Sequence, residues 1–310
     1  MTAPALDNGF SEALAIVADA EASAARLAAA TGFVRRHSGP VPPAALTLLG
    51  LPSTRSGQEI LLGHRDVERG AVRLIQLDGL PAPRLRDGAQ TWDSGGIFDI
   101  NLRALPSIAA LHEAFGQNGF LARAPITDWD FGPLAVREVV EDDADGLCIA
   151  LMERVHPPLT GYEGVSGPAS WVFNSTQVVP DFAAARAFYV ETLGWQPVQE
   201  TESMAGHAGG ANCMGLPLGI AESLLMRIGM YQAHGRMTGS VEIIQFGTRT
   251  LDFSHRAPPM RGWASLRFPV SDLDTLLARV PATIGPVDLD GKRAAAVVTP
   301  WGARLEFIEA

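Results

Sequence analysis

The chain has 310 residues, of which 47% are hydrophobic and 19% charged, so it is long enough for about two globular domains. Its formal net charge is −10 and no basic run reverses that sign locally, so neither nucleic acid nor anionic membrane is an expected partner. The first residues, MTAPALDNGF, lack the pattern of a signal peptide, and no apolar run reaches membrane-spanning length, which predicts a cytoplasmic protein.

A strand–helix module recurs four times along the chain. In each module an apolar strand leads to a residue that can start a helix, and a glycine stands thirteen residues later. In chain order the pairs are Asp19 and Gly32, Pro106 and Gly119, Asp181 and Gly194, and Asp272 and Gly285. The aspartates can accept hydrogen bonds from the first backbone N–H groups of a helix, and glycine suits the left-handed position at its end. In the last module Pro281 predicts an early end of the helix, which would leave Gly285 in a loop.

Each module also closes on a strand of similar sequence. The four strands are GAVRLIQL (70–77), GLCIALME (146–153), GSVEIIQF (239–246) and GARLEFIE (302–309). The first resembles the third and the second resembles the fourth, which indicates that a two-module half was duplicated. The glycine- and proline-rich stretch 156–169 is the predicted linker between the halves, and 82–96 and 248–262 connect the modules within each half.

The repeated segments resemble the vicinal oxygen chelate superfamily, which includes glyoxalase I, bleomycin-resistance proteins, fosfomycin-resistance enzymes and extradiol dioxygenases. The resemblance is carried by VVPDFAAARAFYVETLGW, LRFPVSDLDTLLARV and TPWGARLEFIEA. It implies an α+β fold of four βαβββ modules, forming two fused glyoxalase-like domains with curved mixed sheets that enclose a cavity. The predicted domains are 1–155, with modules 1–77 and 95–155, and 170–310, with modules 170–247 and 262–310.

The resemblance also points to eight candidate positions for functional side chains. Metal-using members of the family take ligands from the first strand of a module, seven residues before the aspartate position, and from the last strand. In the second domain these positions are Asn174, Ser265, Glu242 and Glu306, and in the first domain they are Glu12, Asp99, Arg73 and Ala150. None is a histidine, so iron-dependent extradiol cleavage is not expected.

The second domain is the predicted ligand site, and the first is predicted to be degenerate. Glu242 and Glu306 are expected either to share acid–base chemistry or to bind a divalent metal such as manganese, magnesium or zinc, although no cofactor is firmly implied. Glu242 shares a strand face with Ile244, which places it in or beside a cavity. In the first domain, Arg73 is expected to form ion pairs with Glu12 and Asp99 that fill the place of a metal.

Other side chains are candidates for catalysis or binding. His234 is the candidate general acid or base outside the strands; it matches His64 in the first half, and both could instead be hydrogen-bonding loop residues. Asn174 and Ser265 would orient a substrate oxygen. Arg267 would hold an anionic group or else form a salt bridge with a glutamate. An apolar pocket or part of the core is the expectation for Met226, Met230, Tyr231, Met237 and Trp301.

Taken together, these patterns favour a glyoxalase-like lyase or isomerase that acts on a small oxygenated organic molecule in the second-domain cavity. Proton abstraction beside a carbonyl suits a pair of carboxylates. The alternative is a metal-free protein of the bleomycin-resistance type, which binds a small molecule without catalysis. A monomer and a homodimer are both compatible with the two fused halves. Cys148 and Cys213 have no disulfide or zinc spacing and are expected to be buried as small hydrophobic residues.

Overall fold

A computed structural model describes residues 9–79, 81–105, 107–130 and 132–310. Pro106, the predicted helix start of the second module, lies outside these ranges, as does the beginning of the first domain. In the described part of the chain, no helix is both long and apolar enough to cross a membrane.

All four modules follow the predicted order of a strand, a helix and further strands. Module one contains β1 (Glu12–Ile16), α1 (Ala20–Thr31), β2 (Val34–Pro40), α2 (Pro43–Leu48), β3 (Gly57–Gly63) and β4 (Ala71–Leu77). Module two contains β5 (Asp99–Ala104), α3 (Ile108–Gln117), β6 (Leu121–Ala122), β7 (Thr127–Asp130), β8 (Ala135–Asp142) and β9 (Cys148–His156).

The second half repeats this plan. Module three contains β10 (Ala169–Val178), α4 (Phe182–Ala187), which continues as one π-helical turn over Phe188–Thr192, β11 (Gln196–Met204), α5 (Leu218–Ala221), β12 (Leu225–Gln232) and β13 (Ser240–Phe246). Module four contains β14 (Gly262–Val270), α6 (Leu273–Arg279), β15 (Ile284–Leu289), β16 (Lys292–Val298) and β17 (Arg304–Glu309). The four similar sequences therefore form the last strand of each module, β4, β9, β13 and β17, and the α+β fold class is confirmed.

The local signals at the helix ends are confirmed as well. The Asp19, Asp181 and Asp272 side chains each accept a hydrogen bond from the backbone N–H three residues later, at 2.9, 3.0 and 2.9 Å. Helix α6 ends at Arg279, before Pro281, as predicted. Gly285, however, lies in β15 and not in a loop. Antiparallel pairing of β15 with β16 starts at Ile284, so the strand begins as soon as the shortened helix has ended.

The modules form two open mixed sheets, and each sheet combines both halves of the chain. Modules one and four form an eight-stranded sheet in the order β15-β16-β17-β14-β1-β4-β3-β2. Modules two and three form a nine-stranded sheet in the order β11-β12-β13-β10-β5-β9-β8-β6, with β7 paired to β8. The seams are antiparallel, with Glu12 opposite Arg267 and Asn101 opposite Asn174. The predicted linker at 156–169 therefore separates two halves along the chain, but neither half completes a sheet alone.

Each sheet has one face against the helices and one face turned away from them, which we call the far face. A single core cluster joins α1, α3, α4 and α6 to the helix-packed faces of both sheets, with members such as Leu27, Phe115, Ile243 and Phe268. A second cluster lies on the far face of the nine-stranded sheet, and a third on that of the eight-stranded sheet. Since side chains alternate along a strand, residues next to core positions point to the far faces.

A segment between two strands covers each far face. In module one this cover is α2, whose Leu46 and Leu48 are fully buried in the third cluster. In module three the stretch between β11 and β12 takes the same place, and its Cys213, Met214 and Leu216 join the second cluster. The sequences LLGLP (48–52) and CMGLP (213–217), one in each cover, are alike. Cys148 and Cys213 are free thiols and buried, as expected.

Candidate functional site

The far face of the nine-stranded sheet gathers polar side chains from four strands, β13, β10 and β5, which are neighbours, and β8, which lies beyond β9. On β5, Ile100 and Leu102 point into the helix-packed core, so the alternate residues turn to the far face. The same alternation applies to β8, β10 and β13. The polar set consists of Asp99, Asn101, Glu138, Asn174, Thr176 and Glu242. Sequence reasoning had placed three of these six, Asp99, Asn174 and Glu242, at special positions.

The floor of this set is a hydrogen-bonded amide network. The Nδ2 of Asn101 lies 2.8 Å from Asn174 Oδ1, 3.1 Å from Thr176 Oγ1 and 3.3 Å from Asp99 Oδ1, and donates to them. Asn174 in turn donates from Nδ2 to Ser240 Oγ at 2.7 Å. Asp99, Asn101, Asn174 and Thr176 are buried, whereas Glu138 and Glu242 are partly accessible. The two glutamates are thus the more exposed acidic groups of the set.

Three carboxyl groups of this polar set form no ion pair with a described residue, unlike Asp142 further along β8, which pairs with Arg123. Within the described ranges, no arginine, lysine or histidine nitrogen lies within 4 Å of Asp99, Glu138 or Glu242. Burial raises the pKa of Asp99 to about 6, against the hydrogen bonds from Thr176. Burial and then the charge of Asp99 raise the pKa of Glu138 to about 7. Burial, followed by the charges of Asp99 and Glu138, raises the pKa of Glu242 well above its ordinary value.

The raised pKa values favour proton exchange at these groups. Near neutral pH Asp99 is mostly ionised and Glu138 is close to half ionised, while the raised pKa of Glu242 favours its protonated form. Three like charges in one poorly solvated place cannot all be present, so the groups ionise in sequence. Titratable neighbours with separated pKa values are a usual arrangement for proton transfer.

The far face of the eight-stranded sheet has the opposite electrostatic design. Arg73 Nε lies 2.8 Å from Glu12 Oε2, and its Nη1 donates to Glu59. Arg267 bridges Glu12 and Glu306, with Nη1 3.0 Å from Glu12 Oε2 and Nη2 2.9 Å from Glu306 Oε2. Burial raises the pKa of Glu12, but Arg267 and Arg73 outweigh it, and the net pKa of Glu12 is below its ordinary value. This is a closed ion-paired network beside α2.

Structural neighbours decide the fold. Glyoxalase I from Zea mays superimposes with a TM-score of 0.64 over 97% of this chain and 92% of that chain, at 14% sequence identity. The chain has the glyoxalase I fold. A point mutant of the same maize enzyme gives 0.65 at 15% identity with the same coverage, and a proposed dioxygenase from Bacillus subtilis gives 0.58 at 11% identity over 98% and 86% of the two chains. No family model matches the sequence, and no curated protein does either.

Identities of 11–15% support the fold and do not by themselves assign a reaction. The resemblance of the sequence to the vicinal oxygen chelate superfamily is thus confirmed in its architecture of four modules and two open sheets. What the chain does must be argued from its own side chains.

On this glyoxalase I fold, the predicted glutamate pair is divided. Glu242 lies on β13 of the nine-stranded sheet, and Glu306 lies on β17 of the eight-stranded sheet, where it binds Arg267. The reason is that modules pair across the two halves, so modules three and four do not share a face. Arg73 does bind Glu12, as expected, but Asp99 lies in the other sheet, and Glu59 takes the place predicted for it.

The remaining predicted residues also lie apart from one another. Ser265 is fully buried on β14 and its Oγ lies 3.4 Å from the Arg304 carbonyl oxygen. Tyr231 is in the helix-packed core, stacks on Tyr189 and donates from its hydroxyl to Glu200 at 2.9 Å. His234 is exposed in the connection between β12 and β13. His64 is buried, with Nε2 2.8 Å from the Ser166 carbonyl oxygen. Of the predicted positions, Asn174 and Asp99 share the far face with Glu242, and Met226 belongs to the apolar cluster of the same face.

The residues present do not fit the metal centre that the fold family implies. At the four ligand positions of the nine-stranded sheet, Ala150 offers no donor atom and the Asn174 oxygen already accepts from Asn101. In the eight-stranded sheet the arginines Arg73 and Arg267 occupy the same region and would repel a cation. Searched over the described residues, no group of three or more histidine, cysteine, aspartate or glutamate side chains could hold a metal ion. The chemistry that we propose for this chain therefore uses side chains and no metal.

Sequence reasoning missed Glu138 and Asn101. Glu138 lies on β8, a strand that carries no ligand in the family pattern. A signal was present nonetheless, because Glu138 alternates with Val136 and Val140, which are buried on the same face. A single acid in an apolar row indicates a carboxyl group that faces a cavity or its lining. Asn101 gave a similar signal two residues after Asp99 in the strand DINLRA.

Proposed function

We propose that this chain is a metal-independent acid–base enzyme of the vicinal oxygen chelate superfamily, a lyase or isomerase that acts on a small oxygenated organic molecule at the far face of the nine-stranded sheet. The observation that carries the proposal is the set of three carboxyl groups on one sheet face that form no ion pair with a described residue, Asp99, Glu138 and Glu242, and burial raises the pKa of each. A merely structural role would favour neutralisation by arginine, as on the other sheet.

The reaction follows from the protonation states. Glu138, whose pKa is about 7, takes a proton from the carbon beside a substrate carbonyl, and the C–H electron pair forms the double bond of an enol. Protonated Glu242 donates a hydrogen bond to the carbonyl oxygen and stabilises the negative charge that develops there. With a hydroxyl on the deprotonated carbon, return of the proton to the former carbonyl carbon gives an isomerase, because the hydroxyl proton passes to the old carbonyl oxygen and a new carbonyl forms. With a β-substituent, the enolate re-forms the carbonyl and the substituent leaves with its bonding electron pair, which gives a lyase. Asn174 retains a second amide N–H for the substrate oxygen.

Deuterium exchange tests the proton transfer without knowledge of the full reaction. Small ketones, oxo acids and hydroxy acids in D₂O would be followed by NMR for loss of the C–H signal beside the carbonyl. Glu138→Gln and Glu242→Gln should each reduce exchange by roughly 10²–10⁴-fold. Glu202→Gln is the matched control, since Glu202 lies on an exposed strand of the same sheet and pairs with Arg227. Unchanged exchange in the Glu138→Gln/Glu242→Gln double variant would sink the assignment.

A second candidate is a metal-free binding protein. It is favoured by the apolar part of the same face, where Met226, Ile228 and Ile244 surround the polar set. Such a wall is typical of small-molecule pockets. If a compound of the panel binds, as seen by calorimetry, and no bound compound exchanges or is consumed, the binding function replaces the enzyme.

A further inference from the structure

A large cavity lies at one end of the nine-stranded sheet, beyond Asn101 on β5. Its volume is about 770 Å³, within the usual range for small-molecule sites. Its walls come from β5, β9 and β10, from the linker between the halves and from the connection between β12 and β13. The residues that line it include Arg103, Arg154, Tyr162, Trp171 and Arg236.

Arg103 is a buried cation without a carboxylate. It is 3% exposed, and in the described part of the chain no acidic oxygen lies within 4 Å of it. Its guanidinium packs 3.9 Å from the centre of the Phe173 ring, and Nη1 lies 2.7 Å from the weak acceptor Met152 Sδ. Burial lowers the pKa of Arg103 to about 10, so the group is still charged at neutral pH. Its other polar partner is the neutral Tyr162 hydroxyl, whereas a desolvated charge of this kind normally has a partner of opposite charge.

The cavity wall contains three buried donors without an acceptor. They are Arg103 Nε, Arg154 Nε and Trp171 Nε1, none of which has a hydrogen-bond partner among the described residues. Each unsatisfied donor costs about 1–3 kcal/mol, and charged groups cost more. The donor atoms themselves are buried, but all three belong to residues that line one space, which favours a ligand that carries several acceptor oxygens and a negative charge.

An aromatic wall stands beside these donors. Tyr162 from the linker stacks on Trp171 with ring centres 4.6 Å apart and planes 3° from parallel. The linker residues 157–160 continue the wall. The linker therefore does more than join the two halves, because it closes the basic end of the far face.

We propose that this cavity binds the oxyanion group of the substrate, a carboxylate or a phosphate, with Arg103 and Arg154 as the paired cations and Trp171 as an additional donor. The guanidinium fork matches two oxygens of either group. Arg103, Asn101 and Asp99 follow one another on one face of β5, with ~6.6 Å between successive members. The substrate is thus an organic anion whose charged end lies in the cavity while its carbonyl reaches the carboxyl groups. This substrate class rests on the proposed function.

Calorimetry with simple probes tests the cavity without the true substrate. Benzoate and phenyl phosphate present the two oxyanions on the same ring, and benzyl alcohol is the neutral match. We expect at least one anion to bind, and benzyl alcohol to bind at least tenfold more weakly. Arg103→Gln and Arg154→Gln should each lower the affinity for the anion by tenfold or more. Arg154→Gln is less prone to disturb folding, because Arg154 is only partly buried. Arg227→Gln, on an exposed strand of the same sheet, is the control.

The outcomes separate the subsite from the catalytic proposal. If phenyl phosphate binds more tightly than benzoate, the cavity takes a phosphate, and the reverse order indicates a carboxylate. Either result supports the oxyanion subsite. Equal binding of benzyl alcohol, no binding of either anion, or unchanged affinity in the Arg154→Gln variant would overturn the subsite. Glu242→Gln should retain anion affinity. Anion binding with no effect of the Glu138→Gln/Glu242→Gln double variant on exchange would leave the subsite standing and reject the acid–base enzyme.

Discussion

The far faces of the two sheets differ in how their carboxyl groups are partnered: those of one sheet form ion pairs, and three of those on the other form none in the described part of the chain. On the eight-stranded sheet, Arg73 and Arg267 neutralise three glutamates, one of which, Glu306, is fully buried. On the nine-stranded sheet three carboxyl groups, Asp99, Glu138 and Glu242, have no cation within 4 Å across the described ranges; their polar neighbours include an amide, a hydroxyl and a thiol. Paired charges stay ionised and hold structure, whereas unpaired carboxyl groups shift their pKa values and become able to transfer protons. One far face therefore serves stability, and the other is the place where we propose the chemistry.

Removing the bridging cation of the eight-stranded sheet should have the largest effect. Arg267→Met leaves Glu306 and Glu12 without their shared partner, and we expect a loss of roughly 3–5 kcal/mol in the free energy of unfolding. Urea unfolding followed by circular dichroism measures it. Arg293→Met is the control, because Arg293 pairs with the exposed Asp274 and should cost less than ~1 kcal/mol. Equal losses in the two variants would show that the buried network is not what stabilises this face.

Neutralising an acid of the nine-stranded sheet should instead stabilise the protein, and only at higher pH. The pKa of Glu242 is raised in the folded state, so its contribution to stability is full below the unfolded pKa and is lost as pH rises towards the folded pKa. Glu242→Gln has no carboxyl group to ionise, so it does not lose this stability as the pH rises. Thermal unfolding should show little difference between variant and parent at pH 4, and a gain of roughly 1–2 kcal/mol for the variant at pH 8. A gain that does not grow with pH would contradict the unpaired, protonated carboxyl.

Removal of a helix cap should have the smallest effect on stability, and the loss should be the same for a helix packed on either sheet. Asp181→Ala and Asp272→Ala each remove a helix cap whose hydrogen bond is 2.9–3.0 Å long, so each should cost about 1 kcal/mol. Equal losses in chemical denaturation would show that the two sheets differ on their far faces and not in the helices. A cap that costs several times more in one module would indicate that the modules are not equivalent in stability.

Features encoded over a few residues could be predicted from the sequence. The caps at Asp19, Asp181 and Asp272, the helix end before Pro281 and the four closing strands depend on neighbours in the chain, and the structure confirms them. Gly285 was misplaced because antiparallel pairing with β16 decides its conformation, and that pairing is not visible from local signals. The ion pair between Arg73 and Glu12 was foreseen because both lie on neighbouring strands of one module.

The partner of each module could not be predicted, because all four modules carry the same pattern. Nothing local distinguishes a pairing of module one with module two from its actual pairing with module four. That choice separates Glu242 from Glu306 and brings Glu242 to Asp99 and Glu138. The candidate site was therefore found in part: Asp99, Asn174 and Glu242 by position in the repeat, but not the way they combine.

The pairing across the halves has a consequence for biosynthesis. When the ribosome has completed residue 155, β1 still lacks β14 and β5 still lacks β10, so a nascent chain of that length presents two sheet edges with unpaired backbone groups. Those edges are covered only after the second half has been synthesised. The two halves thus pair with each other as the subunits of a dimer would, and completion of both sheets depends on the half that is synthesised last.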